Sequence, residues 1–157
     1  MTNATLGGSV TLIWYQVMTA APVVALELIR AWASQTSSTT SNQQRVQINT
    51  QVSTFPTLTS QTPIRTKASD PASLISGGTA GAAGTCGVNA SAEGAGAKTV
   101  IIAEGFNILN GYLWTATPRE TIIESPQSTA HGLGLHFPAT PPSATQWNAG
   151  VCYAELG

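Results

Sequence analysis

The sequence predicts an all-β fold: a β-sandwich or jelly roll carrying a long Gly/Ala-rich loop or arm. Three observations lead there. Apolar and polar residues alternate with the period of a strand over about eight short stretches. No stretch carries a persuasive long helical pattern. Turn formers are plentiful, with 15 glycines and 9 prolines, as expected of many short strands joined by tight connections. A chain of 157 residues fits one domain, 1–157, and can bury a core without disulfides or metal.

Taken in order, residues 10–18 are apolar on both faces, as in a strand inside a sandwich or an interface. Over residues 23–33, Val24, Leu26, Leu28, Arg30 and Trp32 share one face and Glu27 lies on the other. Leu26, Ile29 and Ala33 also suit a helix, but the β-branched start and the tryptophan favour a strand. Residues 44–52 alternate clearly, with Val46, Ile48 and Val52 against Arg45, Gln47, Asn49 and Gln51. Strands are also expected at 99–103, 112–116, 121–124, 132–137 and 151–155. Val46, Ile48, Leu133, Leu135 and Phe137 should face the interior, and Asn110-Gly111 reads as a hairpin turn.

Two stretches break the rhythm. Residues 34–42, SQTSSTTSN, read as a solvated loop. Residues from about 53 to 97 read as an irregular insertion, and 76–97 hold seven glycines and seven alanines among twenty-two residues. Such a segment has too little apolar bulk to offset its ordering entropy, so a partner subunit is expected to hold it. Within it, AEGAGAKT at 92–99 has the ending of a phosphate-binding loop. The two positions that must be glycine for backbone amides to curl around phosphate are Ala92 and Ala97. A strand follows where a helix is required. A nucleotide site is therefore not expected.

Charged residues are 8% of the chain, against about 25% in an average soluble domain. Serine and threonine number thirty-six, so the surface is polar but mostly uncharged. Weak repulsion between copies suits an assembled protein. Net charge is -1 and the six basic residues are scattered, which argues against nucleic acid as a partner. The first basic residue is Arg30, so no secretory signal is expected. Gln16, Pro22 and Glu27 interrupt the apolar run 10–29, which argues against a spanning helix and a membrane partner. Cys86 and Cys152 are expected as thiols in a reducing compartment, although their spacing leaves a disulfide open.

No catalytic, cofactor-binding or metal site is expected, and no cofactor. The one aspartate, Asp70, and two histidines, His131 and His136, could be imagined in a Ser-His-Asp triad, but no G-x-S-x-G elbow exists. Five residues apart on a strand, the histidines point to opposite faces and read as ordinary surface or rim residues. Glu120 and Glu124 would share a strand face, where like charges repel, and no carboxylate pair stands out as a glycosidase would need. Trp14, Trp32 and Trp114 lie on apolar strands and read as core. Trp147 alone falls on an expected loop, where an indole could stack on sugar. An enzyme would need a pocket that gathers His131 or His136 with a carboxylate.

The stretch GFNILNGYLWTATPRETIIES, with GLGLHFPATPPSA and the terminal GVCYAELG, resembles small all-β proteins encoded beside the head genes of tailed bacteriophages. Some of these act as capsid cement or decoration proteins. Phe106-Asn107, Gly111-Tyr112, Trp114 and Tyr153-Ala154-Glu155-Leu156 carry the resemblance, which extends more loosely to residues 25–33. It implies a non-enzymatic virion protein, made in the host cytoplasm and placed on the outer capsid surface. It implies a homotrimer bridging neighbouring capsomers, with the major capsid protein as partner. A carbohydrate- or receptor-binding β-sandwich of a phage fibre is the alternative.

Overall fold

The structure, a computed structural model, describes residues 4–5, 10–16, 25–77, 85–125, 131–141 and 146–156. Among them the protein is all-β, with no helix and two sheets. The strands are β1 (Ala4–Thr5), β2 (Val10–Gln16), β3 (Ala25–Gln35), β4 (Gln43–Val52), β5 (Thr57–Ser60) and β6 (Ser76–Gly77). They continue as β7 (Thr85–Ala92), β8 (Lys98–Asn107), β9 (Tyr112–Thr115), β10 (Ile122–Glu124), β11 (His131–Phe137) and β12 (Gln146–Leu156). The smaller sheet runs β1-β12-β3-β10, with β9 also paired to β3. The larger runs β5-β7-β2-β11-β4-β8, with β6 added beside β7. Pairing is antiparallel except between β6 and β7.

Of residues 23–33, where helix and strand competed, 25–33 lie in strand β3 and 23–24 fall outside the described residues. For the strand, β12 and β9 supply the reason. Between them they pair with β3 along both of its edges. The alternation then sends Leu26, Leu28, Ala31 and Ala33 inward. Between Leu28 and Ala31 the parity changes, because the β3–β12 register shifts beside Ile29 and leaves that residue unpaired. Val46, Ile48, Leu133, Leu135 and Phe137 are all buried, as their alternation predicts, in one cluster with Leu28, Ala31, Ala33, Trp147 and Ala149 of the smaller sheet. Phe137 and Trp147 meet edge to face at 4.7 Å between ring centroids, and Phe106 lies 5.9 Å from Trp147. Each such aromatic contact contributes about 0.5–1.5 kcal/mol beyond the area it buries.

Three expectations need correction. Asn110-Gly111 is not a hairpin turn. Gly111 does adopt the left-handed conformation, at φ 73°, but the turn joins β8 of one sheet to β9 of the other. Trp147 is not on a loop: it sits in β12, fully buried. The segment 53–97 is not wholly irregular, since it contains β5, β6 and β7. There β5 and β7 approach so closely that a Cβ on Gly87 would lie 2.6 Å from Leu58 Cβ. Strands built from such small residues leave no alternation to read.

Candidate interaction surfaces and the buried histidines

The histidines are not surface residues. His131 is 2% exposed and His136 5%. His131 begins β11, and its Nε2 lies 2.7 Å from Glu124 Oε1 and 2.7 Å from the Ser125 carbonyl oxygen. Because the carbonyl can only accept, Nε2 carries the proton. Glu124 belongs to β10, so this contact ties the two sheets together. Burial raises the Glu124 carboxyl above its ordinary range, and His131 opposes that shift. Near the other end of β11, His136 Nδ1 lies 3.6 Å from Glu93 Oε2, which also pairs with Lys98 Nζ at 2.6 Å. Sequence spacing missed both contacts, since each carboxylate arrives from another element.

Neither histidine lines the described cavity, a space of about 10 Å³ enclosed by Leu28, Ala31, Ile48, Leu133, Gly134, Leu135 and Val151. Asp70 serves a turn: its Oδ2 accepts from the Lys67 amide at 3.2 Å, and Arg65 Nη1 donates to its carbonyl at 2.9 Å. Glu120 lies outside β10 and accepts from Thr117 Oγ1 at 3.2 Å, so it forms no same-face pair with Glu124. Among the described residues no three His, Cys, Asp or Glu side chains gather as metal ligands, and no helix is long and apolar enough to cross a membrane.

The run AEGAGAKT has an internal explanation. The Gly96 amide donates to the Thr54 carbonyl at 3.0 Å, and Gln51 Nε2 donates to the Thr54 and Gly94 carbonyls at 2.7 and 3.0 Å. A Cβ on Gly96 would stand 2.0 Å from Val52 O, and one on Gly94 2.3 Å from Thr54 O. The glycines thus let the loop press on residues 52–55 of its own chain.

A third polar group closes the far end of the smaller sheet. Glu155 accepts from Ser73 Oγ and, at 2.9 Å, from the Leu74 amide, while Ser73 Oγ meets Tyr153 OH at 3.0 Å. Below it Leu26, Ile75 and Cys86 are buried together. Cys86 and Cys152 are both thiols, and burial pushes that of Cys86 up to about 11.

Among the described residues two surfaces are open. One is β8, an edge of the larger sheet, ten residues long and paired within them on one side only, to β4. Val100 is 45% exposed and Ile101 42%. A register shift at Ile101 is a device that blunts edge pairing, and the charges on the strand are Lys98 and Glu104. The other is the outer face of the smaller sheet. Its rows, read across β9 or β10, β3 and β12, are Ile123-Glu27-Ala154, Thr115-Arg30-Cys152 and Leu113-Trp32-Gly150. Ala25 and Leu156 form a further row. Leu113 is 65% exposed and Ile123 50%. The Trp32 ring lies directly on Gly150, and the Arg30 guanidinium stands 5.0 Å from the ring centroid.

No protein-family model, curated protein or solved structure matches the chain.

Proposed function

We propose that the chain is a structural virion protein, a cement or decoration protein that binds the outside of a tailed-phage capsid and stabilises it. It acts as a homotrimer on the major capsid protein, its two sheets packed face to face as a β-sandwich. The cluster that joins residues of both sheets supports the sandwich. The observation that carries the assembly reading is the β8 edge. On the side away from β4, alternate residues of this ten-residue strand present backbone groups that no described strand pairs, with apolar Val100 and Ile101 exposed. A strand of a neighbouring chain can extend such an edge on one side of the register shift at Ile101, which keeps it from pairing along its whole length. The scarcity of charge supports the same reading.

The His131–Glu124 contact is buried and joins the two sheets, and His136 meets a half-buried Glu93 that Lys98 also pairs, which favours ties between elements over catalysis. Trp147, the indole on which sugar stacking would have rested, is buried in the core. The test is cosedimentation with shells of the major capsid protein, comparing the native chain with Ile101→Lys. A charge on that edge should weaken binding at least about tenfold while the strand spectrum stays unchanged. Equal binding by the two would overturn the role given to β8.

A further inference from the structure

The outer face of the smaller sheet departs from what a solvated sheet face requires. Where one face is wet, outward positions should be polar. Here they are Ala25, Glu27, Arg30, Trp32 and Ser34 on β3, with Leu113, Thr115 and Ile123 beside them and Asn148, Gly150, Cys152, Ala154 and Leu156 on β12. Two of these residues are charged. Exposed aliphatic side chains grouped around a tryptophan and an arginine are the composition of an interface centre. With strands spaced about 4.8 Å apart, three strands over ten residues present a plane of about 500 Å². That is smaller than the roughly 800 Å² per partner of a standard interface, and suits a weak, concentration-dependent pair.

We infer that the occupant of this face is the same face of a second copy. Charge decides the occupant and the geometry together. Glu27 and Arg30 lie in adjacent rows of the central strand β3. A two-fold axis lying in the interface, across the strands and between those rows, sets each Arg30 opposite Glu27 of the second copy. Any stacking that superposed identical rows would set like charges together. The same axis carries the Trp32 row onto the Ala25 row. Because the Trp32 ring covers Gly150, the indole then meets the exposed Leu156 and the small Ala25 of the second copy, an apolar contact on each side of the axis. Contact is isologous, so it closes at two chains. This inference concerns how copies meet each other and does not rest on the shell-binding reading. On a shell the pair would join chains of neighbouring trimers.

The test is made on the isolated chain, with no shell present. Light scattering and sedimentation should show two chains associating with a Kd on the order of tens of micromolar. Arg30→Glu and Glu27→Arg should each weaken association at least about tenfold, and an equimolar mixture of the two should recover it. Recovery in the mixture requires contact between chains, because neither variant carries both charges. Thermal unfolding of each variant diluted well below the Kd checks that it folds. One measurement needs no variant at all: alkylation of Cys152 should slow as protein concentration rises. A native chain that stays monomeric at millimolar concentration would overturn the inference. So would association that survives both single reversals, or a mixture that fails to recover. If the chain is monomeric and Arg30→Glu instead weakens shell binding, the face belongs to the shell and the inference falls alone.

Discussion

Gly150 stands where the indole of Trp32 lies against the backbone: a Cβ there would come within 1.9 Å of Trp32 Cζ2. Gly150→Ala should therefore lift the ring from the sheet, cost about 1–3 kcal/mol and shift tryptophan emission to the red. At Gly96 the obstacle is the carbonyl of Val52, which cannot rotate aside as a side chain can. Gly96→Ala should cost more, about 3 kcal/mol, in denaturant unfolding. Equal losses at the two sites would contradict the difference in what each glycine touches. Glu124 gives a pH test. Burial raises its carboxyl above the ordinary value, so the folded chain keeps that proton after the unfolded chain, titrating near about 4.3, has lost it. The stability this confers is present at low pH. It is lost as pH rises from there through the folded value, and is constant above. Glu124→Gln should flatten that decline as pH rises from the ordinary carboxylate range. A variant curve parallel to that of the native chain would show that Glu124 does not carry the effect.

Strands differ in how much of their backbone is engaged. β11 has β2 on one side and β4 on the other, and each of its seven residues is buried. Its amides should exchange most slowly, at the free energy of global opening. β8 has β4 alone among the described residues, so the amides that point away from β4 should exchange quickly in a dilute chain. β7 carries the sharper expectation. Its composition suggests a segment ordered from outside, yet it pairs with β2 and β5 of its own chain, and Cys86 within it is buried. Residues 85–92 should be protected in an isolated monomer. Fast exchange there would restore the view that a partner subunit orders the strand. The glycines and alanines at 78–84 lie outside the described residues.

At the scale of the molecule, one apolar cluster takes residues from both sheets, and Trp147 lies at its centre against Phe137 and Phe106. Removing that ring should loosen both sheets at once. Trp147→Ala is expected to cost about 3–5 kcal/mol and to lower one shared unfolding transition rather than split it. Two separated transitions in calorimetry would mean that the sheets unfold independently.

Much of the fold was legible because alternation is local. A strand with one buried face writes its period into its own residues, as Val46, Ile48, Leu133, Leu135 and Phe137 do, and all eight expected strands are present. β5, β6 and β7 were illegible, because closely packed strands of small residues carry no contrast between their faces. Trp147 was misplaced for a related reason: the Pro, Ser and Thr residues before it look like loop, and pairing with β1 and β3 draws Gln146 onward into a strand. The site-scale features were decided by tertiary structure alone. Glu93 with His136, and the row of Leu113, Trp32 and Gly150, join residues far apart in sequence, and Glu124 meets the nearby His131 only because their strands lie in different sheets. Sequence records what a residue is and what its near neighbours are. Strand order determines which distant residues share a face, and that order is a property of the folded chain.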